Sequence, residues 1–270
     1  MGILNVTPDS FFDGGKYTTL DAALHQAERM LEEGATVLDI GGESSRPKGT
    51  AYGEGAQPVD VEAELRRVLP VVTGCAERFP EAILSIDTYK PQIAQATLEA
   101  GAHIINDITG LRIYPQMAEV VARFGAPLIV MHALGQPGTT PHEHSYTDVV
   151  AEVKAACVDA IQAAEAAGIR HIVTDPGFGF SKTPAENLRL LRHTDALLEL
   201  GRPVLVGISR KSTIGTILGQ PSALLPKEDR LFGSLGATAI AVLQGATLVR
   251  THDVGPTVQM LKALAATWHA

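Results

Sequence analysis

A unit of helix, glycine and short apolar strand recurs along the chain. Six glycines follow Ala-, Leu- and Glu-rich stretches of helical periodicity and precede β-branched runs: Gly34, Gly101, Gly125, Gly168, Gly201 and Gly245. A helix that ends at a glycine and leads directly into a strand produces this pattern. The apolar runs are nearly continuous instead of alternating with polar residues, which is typical of parallel strands buried on both faces.

Eight strands alternate with helices in this interpretation. They are predicted at residues 2–6, 36–41, 83–87, 103–107, 128–132, 171–175, 204–209 and 247–252. This order predicts an α/β protein that forms a single (β/α)8 TIM barrel, with the active site at the C-terminal ends of the strands. No Pro/Ser-rich linker or run of like charge interrupts the pattern, so residues 1–270 are expected to form one domain.

One helix start is marked by its capping residues. Thr183 is followed by Pro184 and then by Glu186, which is the arrangement of a capping box with proline at the first helical position. The sixth helix is therefore predicted to begin just past Phe180, with Thr183 as its N-cap.

Composition narrows the class of function. The 270 residues carry a formal net charge of -8, with acidic and basic residues interspersed, which argues against nucleic-acid and membrane partners. The sequence has neither an apolar run of ~20 residues nor a basic signal segment, so a cytoplasmic protein is expected. Cys75 and Cys157 fall in helical segments and are expected to be small buried hydrophobic residues.

Polar side chains end nearly every predicted strand. They are Asn5, Asp39, Asp87, Asn106, His132, Asp175, Ser209, Arg250 and His252. In a barrel these ends converge on one mouth, so their shared position predicts a single active site. The loop after the first strand adds further oxygen-bearing side chains, including Asp9 and Asp13.

One wall of this mouth suits an anion. Arg250 and His252 are two residues apart on the last predicted strand, and barrel closure makes Asn5 their neighbour. A guanidinium, an imidazole and an amide suit phosphate oxygens, and acidic residues of the first loop can share a Mg²⁺ ion with them.

The opposite wall suits a flat nitrogen heterocycle. Asp87, Asn106 and Asp175 offer acceptors to its N–H edge, and Lys211 offers a donor to its carbonyl. Asp175 is the predicted anchor, because Gly177 and Gly179 let the backbone approach closely.

Seven motifs make the chain resemble the dihydropteroate synthase family. They are Asn5-Val6-Thr7-Pro8-Asp9-Ser10-Phe11, Gly41-Gly42-Glu43-Ser44-Ser45-Arg46-Pro47, Ser85-Ile86-Asp87-Thr88, Ile105-Asn106-Asp107, Asp175-Pro176-Gly177-Phe178-Gly179-Phe180, Ser209-Arg210-Lys211-Ser212 and Arg250-Thr251-His252-Asp253. The resemblance covers essentially the whole chain, with the motifs in order. It implies a Mg²⁺-dependent transferase of folate biosynthesis that joins 6-hydroxymethyl-7,8-dihydropterin pyrophosphate to p-aminobenzoate and releases pyrophosphate.

The resemblance also assigns roles to individual residues. It implies pterin binding by Asp87, Asn106, Asp175 and Lys211. It implies pyrophosphate binding by Asn5, Arg250 and His252, with Asn5 as a metal ligand. It implies a p-aminobenzoate site, the target of sulfonamides, formed by Ser45, Arg46, Pro47, Phe180, Lys211 and Ser212. The catalytic residues that it implies are Asp13, Arg46, Asp87 and Lys211.

The sequence differs from the usual family pattern at several positions, and two other functions remain as alternatives. Phe12, Ser45, Lys48 and Ser181 differ from the usual family residues, mostly near the amine site. Family members also carry residues before the first strand that seal the barrel floor, and this sequence is expected to lack them.

Two other functions are alternatives to the synthase: a pterin-dependent methyltransferase domain with a corrinoid partner, and a non-catalytic pterin-binding protein. A homodimer is expected by resemblance alone.

Overall fold

The computed structural model describes residues 1–7, 19–44, 58–135, 146–220 and 223–268. Within these ranges eight strands alternate with helices. The strands are β1 (Gly2–Asn5), β2 (Val37–Gly41), β3 (Ile83–Asp87), β4 (Ile104–Asp107), β5 (Leu128–Met131), β6 (Ile172–Asp175), β7 (Leu205–Val206) and β8 (Leu248–Val249). Each of them lies within its predicted range, and the predicted ends are too long by up to three residues at β7 and β8.

Nine α-helices connect or follow these strands in the described ranges. They are α1 (Thr19–Glu32), α2 (Val61–Arg78), α3 (Pro91–Glu99), α4 (Met117–Phe124), α5 (Val149–Ala166), α6 (Pro184–Arg192), α7 (Ser212–Leu218), α8 (Leu231–Leu243) and α9 (Val254–Trp268). Short 3-10 segments at Thr194–Leu200 and Lys227–Arg230 precede β7 and α8. No helix of the described residues is both long enough and apolar enough to cross a bilayer.

The strands close into a ring. Strands β1 to β6 pair in parallel in chain order, and β7 pairs in parallel with β8. Single bridges join the two sheets, from Thr174 to Val204 and from Thr251 to Gly2. The second junction is fixed by the Ile3 N–H, which donates to the Thr251 carbonyl at 2.9 Å, and by the Thr251 N–H, which donates to the Met1 carbonyl at 3.0 Å. The predicted (β/α)8 barrel is confirmed.

The main hydrophobic core lies between the strands and the surrounding helices. Its largest fully buried side chains include Leu38, Ile40, Leu84, Ile86 and Ile105, all from β2, β3 and β4. Each such side chain contributes about 1.5–3 kcal/mol when removed from water. Because this layer holds the strands in register, the polar groups at their C-terminal ends have fixed positions.

Local sequence signals are confirmed at several helix ends. Thr183 caps α6 through a complete capping box with Glu186, as predicted. Gly125 adopts a left-handed conformation with φ 64° at the end of α4. Cys75 and Cys157 are buried and unpaired within α2 and α5, and burial raises the pKa of their thiols to about 11 and about 12. Both thiols are therefore protonated at neutral pH.

Candidate active site

A buried carboxylate organises one half of the barrel mouth. Asp39 of β2 is fully buried, and its side chain accepts hydrogen bonds from three groups. The Ser85 hydroxyl donates to Oδ1 at 2.6 Å. The Asn106 amide donates to Oδ2 at 3.1 Å, and the Arg250 Nε donates to the same oxygen at 2.6 Å. Asp39 thus holds side chains from three other parts of the barrel.

Arg250 also binds Asp87, the end residue of β3. Its Nη2 donates to Asp87 Oδ2 at 2.6 Å. Burial raises the pKa of Asp87, and the charge of Arg250 opposes this rise. One guanidinium faces two carboxylates, so this half of the mouth has an excess of hydrogen-bond acceptors when both are ionised.

Strand register explains why these side chains meet. Asn5, Gly41, Asp87 and Asn106 are consecutive partners across β1, β2, β3 and β4. Gly41 has no side chain in this row, and a Cβ there would lie 3.3 Å from the Cβ of Asp87. The glycine therefore leaves room for Asp87 at the mouth.

The other half of the mouth is built from the β6–α6 loop and the start of α7. Asp175 ends β6, and its Oδ1 accepts the N–H of Gly177 at 2.7 Å. Lys211 is the N-cap residue of α7, and its ammonium donates to the Phe178 carbonyl. The same ammonium lies 4.4 Å from the centroid of the Phe180 ring. Asp175, Lys211 and the Phe180 ring therefore lie together in one corner of the mouth.

Burial shifts the charges in this corner. It raises the pKa of Asp175, and the neighbouring Lys211 charge opposes that shift. It lowers the pKa of Lys211 to about 8, against the influence of Asp175. Near neutral pH the lysine is still mostly charged, so a cation and a buried carboxylate stand together at the mouth.

Two glycines allow the loop to pass this close to its neighbours. Gly177 and Gly179 have φ values of +67° and +82°. A Cβ at Gly177 would collide with the His132 carbonyl, and one at Gly179 would lie 2.7 Å from Lys211 Cδ. A side chain at either position would therefore clash with the protein itself.

The two halves meet at Gly207, just past β7. A Cβ placed there would lie 3.8 Å from Arg250 Cβ and 3.9 Å from Lys211 Nζ. The charge of Arg250 also lowers the pKa of Asp175 against burial, and the charge of Asp87 raises that of Lys211. The structure thus brings Asp87, Asn106, Asp175 and Lys211 to one mouth.

His252 lies on the side predicted to bind an anion. Its Nδ1 is 3.0 Å from the Ser209 hydroxyl, which also accepts the His252 N–H at 3.2 Å. Burial, reinforced by nearby cations, lowers the pKa of its imidazole to about 3. His252 is therefore neutral at pH 7 and offers a hydrogen bond instead of a charge. Asn5, the last residue of β1, is exposed.

Comparison with known proteins decides the family. The pterin binding enzyme family matches residues 1–252. The dihydropteroate synthase of Escherichia coli (strain K12) is 44% identical over 272 residues, which span 100% of this chain and 92% of that protein. The chain belongs to the dihydropteroate synthase family of pterin-binding enzymes.

Solved structures of the family agree with this assignment. Xanthomonas albilineans dihydropteroate synthase with 4-aminobenzoic acid has a TM-score of 0.90 and 45% identity, over 100% of this chain and 93% of that one. The same enzyme in complex with 7,8-dihydropteroate has a TM-score of 0.86 and 43% identity, over 100% and 93%. The resemblance found in the motifs is confirmed.

Some residues that the family resemblance implies lie outside the described ranges. These are Asp9, Asp13, Ser45, Arg46 and Pro47, together with the departures Phe12 and Lys48. Their predicted roles stay predictions. Ser212 begins α7, beside Lys211, and the fourth departure, Ser181, has a left-handed φ of +48°. That conformation suits the glycine usual at this position in the family.

Sequence reasoning missed two buried residues of this site. Asp39 was recognised only as one of the polar strand ends, although its position inside an apolar strand was a signal for a paired buried charge. Lys182 received no role, yet it is 4% exposed and lies beneath the β6–α6 loop. Arg250 was predicted to bind an anion, and the structure shows its guanidinium bonded to Asp39 and Asp87.

Replacement of Asp39 should destabilise the barrel. Asp39→Asn removes the charge that faces Arg250 and places an amide group beside existing donors, so the free energy of unfolding should fall by about 2 to 4 kcal/mol. Urea denaturation at pH 7 measures it. Glu165→Gln is the control, because the Arg202–Glu165 pair is partly exposed and should contribute less than about 1 kcal/mol. Equal losses in the two variants would contradict a central role for Asp39.

Proposed function

We propose that the protein is a dihydropteroate synthase, which transfers the pterinylmethyl group of 6-hydroxymethyl-7,8-dihydropterin pyrophosphate to the amine of p-aminobenzoate. The observation that carries the proposal is the meeting of Asp175 and Lys211 with Asp87 and Asn106 at one barrel mouth in a member of this family. The dihydropteroate and 4-aminobenzoic acid complexes of the Xanthomonas enzyme support the same product and amine substrate.

Recognition of the pterin follows from the distribution of charge. The guanidine-like N–H edge of the ring needs acceptors, and the buried Asp175 carboxylate can accept two parallel hydrogen bonds from it. Lys211 can donate to the ring carbonyl from the same corner. Asp87 and Asn106 face the ring from the other half of the mouth, held there by Arg250 and Asp39.

The reaction exchanges one bond at the pterin methylene group. The carbon–oxygen bond to pyrophosphate breaks, the arylamine nitrogen bonds to the carbon, and the nitrogen loses a proton. Asp39 and Asp87 place negative charge beside the pterin, which stabilises the positive charge that builds up as the leaving group departs. His252 and Arg250 lie on the side of the leaving group and can donate hydrogen bonds to its oxygens.

A magnesium ion fits the chemistry of this side. Asn5 presents an amide oxygen at the exposed end of β1, and Mg²⁺ takes a few protein oxygens and fills its other positions with water and phosphate oxygens. When bound there, Mg²⁺ would neutralise charge on the pyrophosphate. The described residues contain no cluster of three or more His, Cys, Asp or Glu that could hold a metal by itself.

Pyrophosphate release tests this function. The purified protein is mixed with the pterin pyrophosphate, with and without p-aminobenzoate and Mg²⁺, and both pyrophosphate and dihydropteroate are measured. Dihydropteroate should form only in the complete mixture and should disappear in excess chelator, because the protein alone supplies little positive charge to the leaving group. Pterin binding without turnover in the complete mixture would instead favour a non-catalytic pterin-binding protein.

Asp175 should be the anchor of the pterin. Asp175→Asn loses a charge-assisted pair and sets an amide donor against the N–H edge, so pterin binding should weaken by roughly 2 to 4 kcal/mol. Isothermal titration calorimetry with a pterin measures this change. Asp253→Asn is a control at the same rim, because Asp253 pairs with Arg210. An unchanged dissociation constant in folded Asp175→Asn would move the anchor elsewhere.

We propose in addition that the protein is a cytoplasmic homodimer. An apolar stripe on α8 supports this, since Phe232, Ile240 and Leu243 are exposed and share one face, with Phe232 82% exposed. Gly236 lies in the same stripe, and a Cβ there would meet nothing within 4 Å. Exposed Ile217 and Leu218 extend the patch onto α7. A contiguous apolar surface of this kind is typical of an interface.

If the apolar stripe on α8 forms the dimer interface, a single negative charge placed in it should separate the subunits. Phe232→Glu should convert a particle of twice 28.5 kDa into one of 28.5 kDa, because burial of an unpaired carboxylate in the interface is costly. Light scattering after size exclusion measures the mass. Phe124→Glu changes an exposed phenylalanine on a different helix, α4, and should leave the dimer intact. A wild-type monomer, or a dimer that survives Phe232→Glu, would contradict the proposal.

A further inference from the structure

Lys182 is a buried cation directly beneath the candidate site. It precedes α6, and only 4% of its surface is exposed. Its ammonium donates to the carbonyls of Gly177 at 3.1 Å and Phe180 at 3.0 Å. It also lies 3.3 Å from the His132 carbonyl and 2.9 Å from His132 Nδ1. One nitrogen therefore joins the end of β5 to two points of the β6–α6 loop.

A buried ammonium is a costly way to hold a loop. Removal of a charge from water is unfavourable unless strong acceptors surround it. Burial lowers the pKa of Lys182 to about 7, although Asp175 favours the charged form. The loop itself is unusual, because Gly177, Gly179 and Ser181 all have positive φ values of 67°, 82° and 48°. The carbonyls of such a turn converge on one side, where the ammonium binds them.

The segment that Lys182 holds carries three elements of the site. The Gly177 N–H donates to the Asp175 carboxylate at 2.7 Å. The Phe178 carbonyl accepts from the Lys211 ammonium. The Phe180 ring lies 4.4 Å from that same ammonium. A shift of the turn would therefore move the acceptor for the pterin, the partner of Lys211 and the aromatic ring together.

We propose that Lys182 is a positioning residue for both substrates: its ammonium fixes the Gly177 and Phe180 carbonyls and thereby orients Asp175 towards the pterin and Phe180 towards the arylamine. The identity of the two ligands rests on the proposed function. The geometric part does not, because Lys182 acts through backbone atoms that the structure shows directly. Lys182 itself lies below the loop and makes no contact that substrate chemistry requires.

Two substitutions test the role with a graded change. Lys182→Met keeps a side chain of similar length with an apolar stem but removes every side-chain hydrogen-bond donor. Lys182→Gln keeps donors without the charge and should be intermediate. Val121→Ala is the control, because it opens a cavity at a fully buried position of α4, a helix that is separate from the β6–α6 loop. It should lower the thermal midpoint without touching the loop, and it separates loss of stability from loss of position.

Amide hydrogen exchange gives the first readout. In Lys182→Met the amides of Gly177, Gly179 and Phe180 should exchange at least about tenfold faster, with the rest of the barrel near wild type. These amides donate to Asp175, Asn187 and Gly177 respectively, so their protection reports the turn itself. Unchanged protection, or an increase spread evenly over the barrel as in Val121→Ala, would overturn the proposal. If only Lys182→Gln folds, the same comparison applies to it.

Ligand affinity gives the second readout. At a temperature where all variants are folded, Lys182→Met should raise the pterin dissociation constant and the KM for p-aminobenzoate by roughly tenfold each. Val121→Ala should stay within about twofold of wild type. Wild-type affinities in Lys182→Met would overturn the proposal even if stability fell. The two proposals can fail independently. If the turn loosens in Lys182→Met but the wild-type protein makes no dihydropteroate, the structural role of Lys182 is supported and the proposed function is refuted.

Discussion

The salt bridges that Arg250 makes with Asp39 and Asp87 are the constraint on which the barrel mouth depends. A buried carboxylate in β2 is tolerable only because a guanidinium and two hydrogen bonds satisfy it. The same guanidinium fixes the end of β3 through Asp87. Since Arg250 follows β8, this network also crosses the junction where the barrel closes. The charges that shape the site therefore also span the junction at which the barrel closes.

The two halves of the mouth are held by different means. The half formed by β2, β3 and β4 is fixed by strand register and by side chains that bind one another. The half beside β6 is a turn with left-handed residues, and its carbonyls bind the ammonium groups of Lys182 and Lys211. A rigid surface of hydrogen-bond acceptors thus faces a corner whose shape depends on two lysines, Lys182 and Lys211. Preorganised groups of both kinds reduce the reorganisation that binding requires.

The fold was largely predictable from the sequence because its signals are local. Continuous apolar runs predicted the eight strands, six of which follow a glycine, and Thr183 with Glu186 marked a helix start that the structure reproduces. The site residues could be placed at one mouth because strand ends converge in a barrel. Their partners were not predictable, since Asp39 and Arg250 are separated by 211 positions and nothing near either residue specifies the other. Lys182 was missed because three of its four partners are carbonyl groups, which leave no mark on the sequence.

A crystal structure of the protein with a bound pterin tests the assignment of the mouth as the pterin site. The ring should lie within the mouth, with its N–H edge on Asp175, its carbonyl near Lys211 and its other side facing Asp87 and Asn106. Asp39 should keep its hydrogen bond to Arg250, because that pair fixes the shape of the mouth whether or not a pterin is bound. A pterin bound outside this mouth, or a ring whose N–H edge faces away from Asp175, would contradict these roles of the mouth and of Asp175.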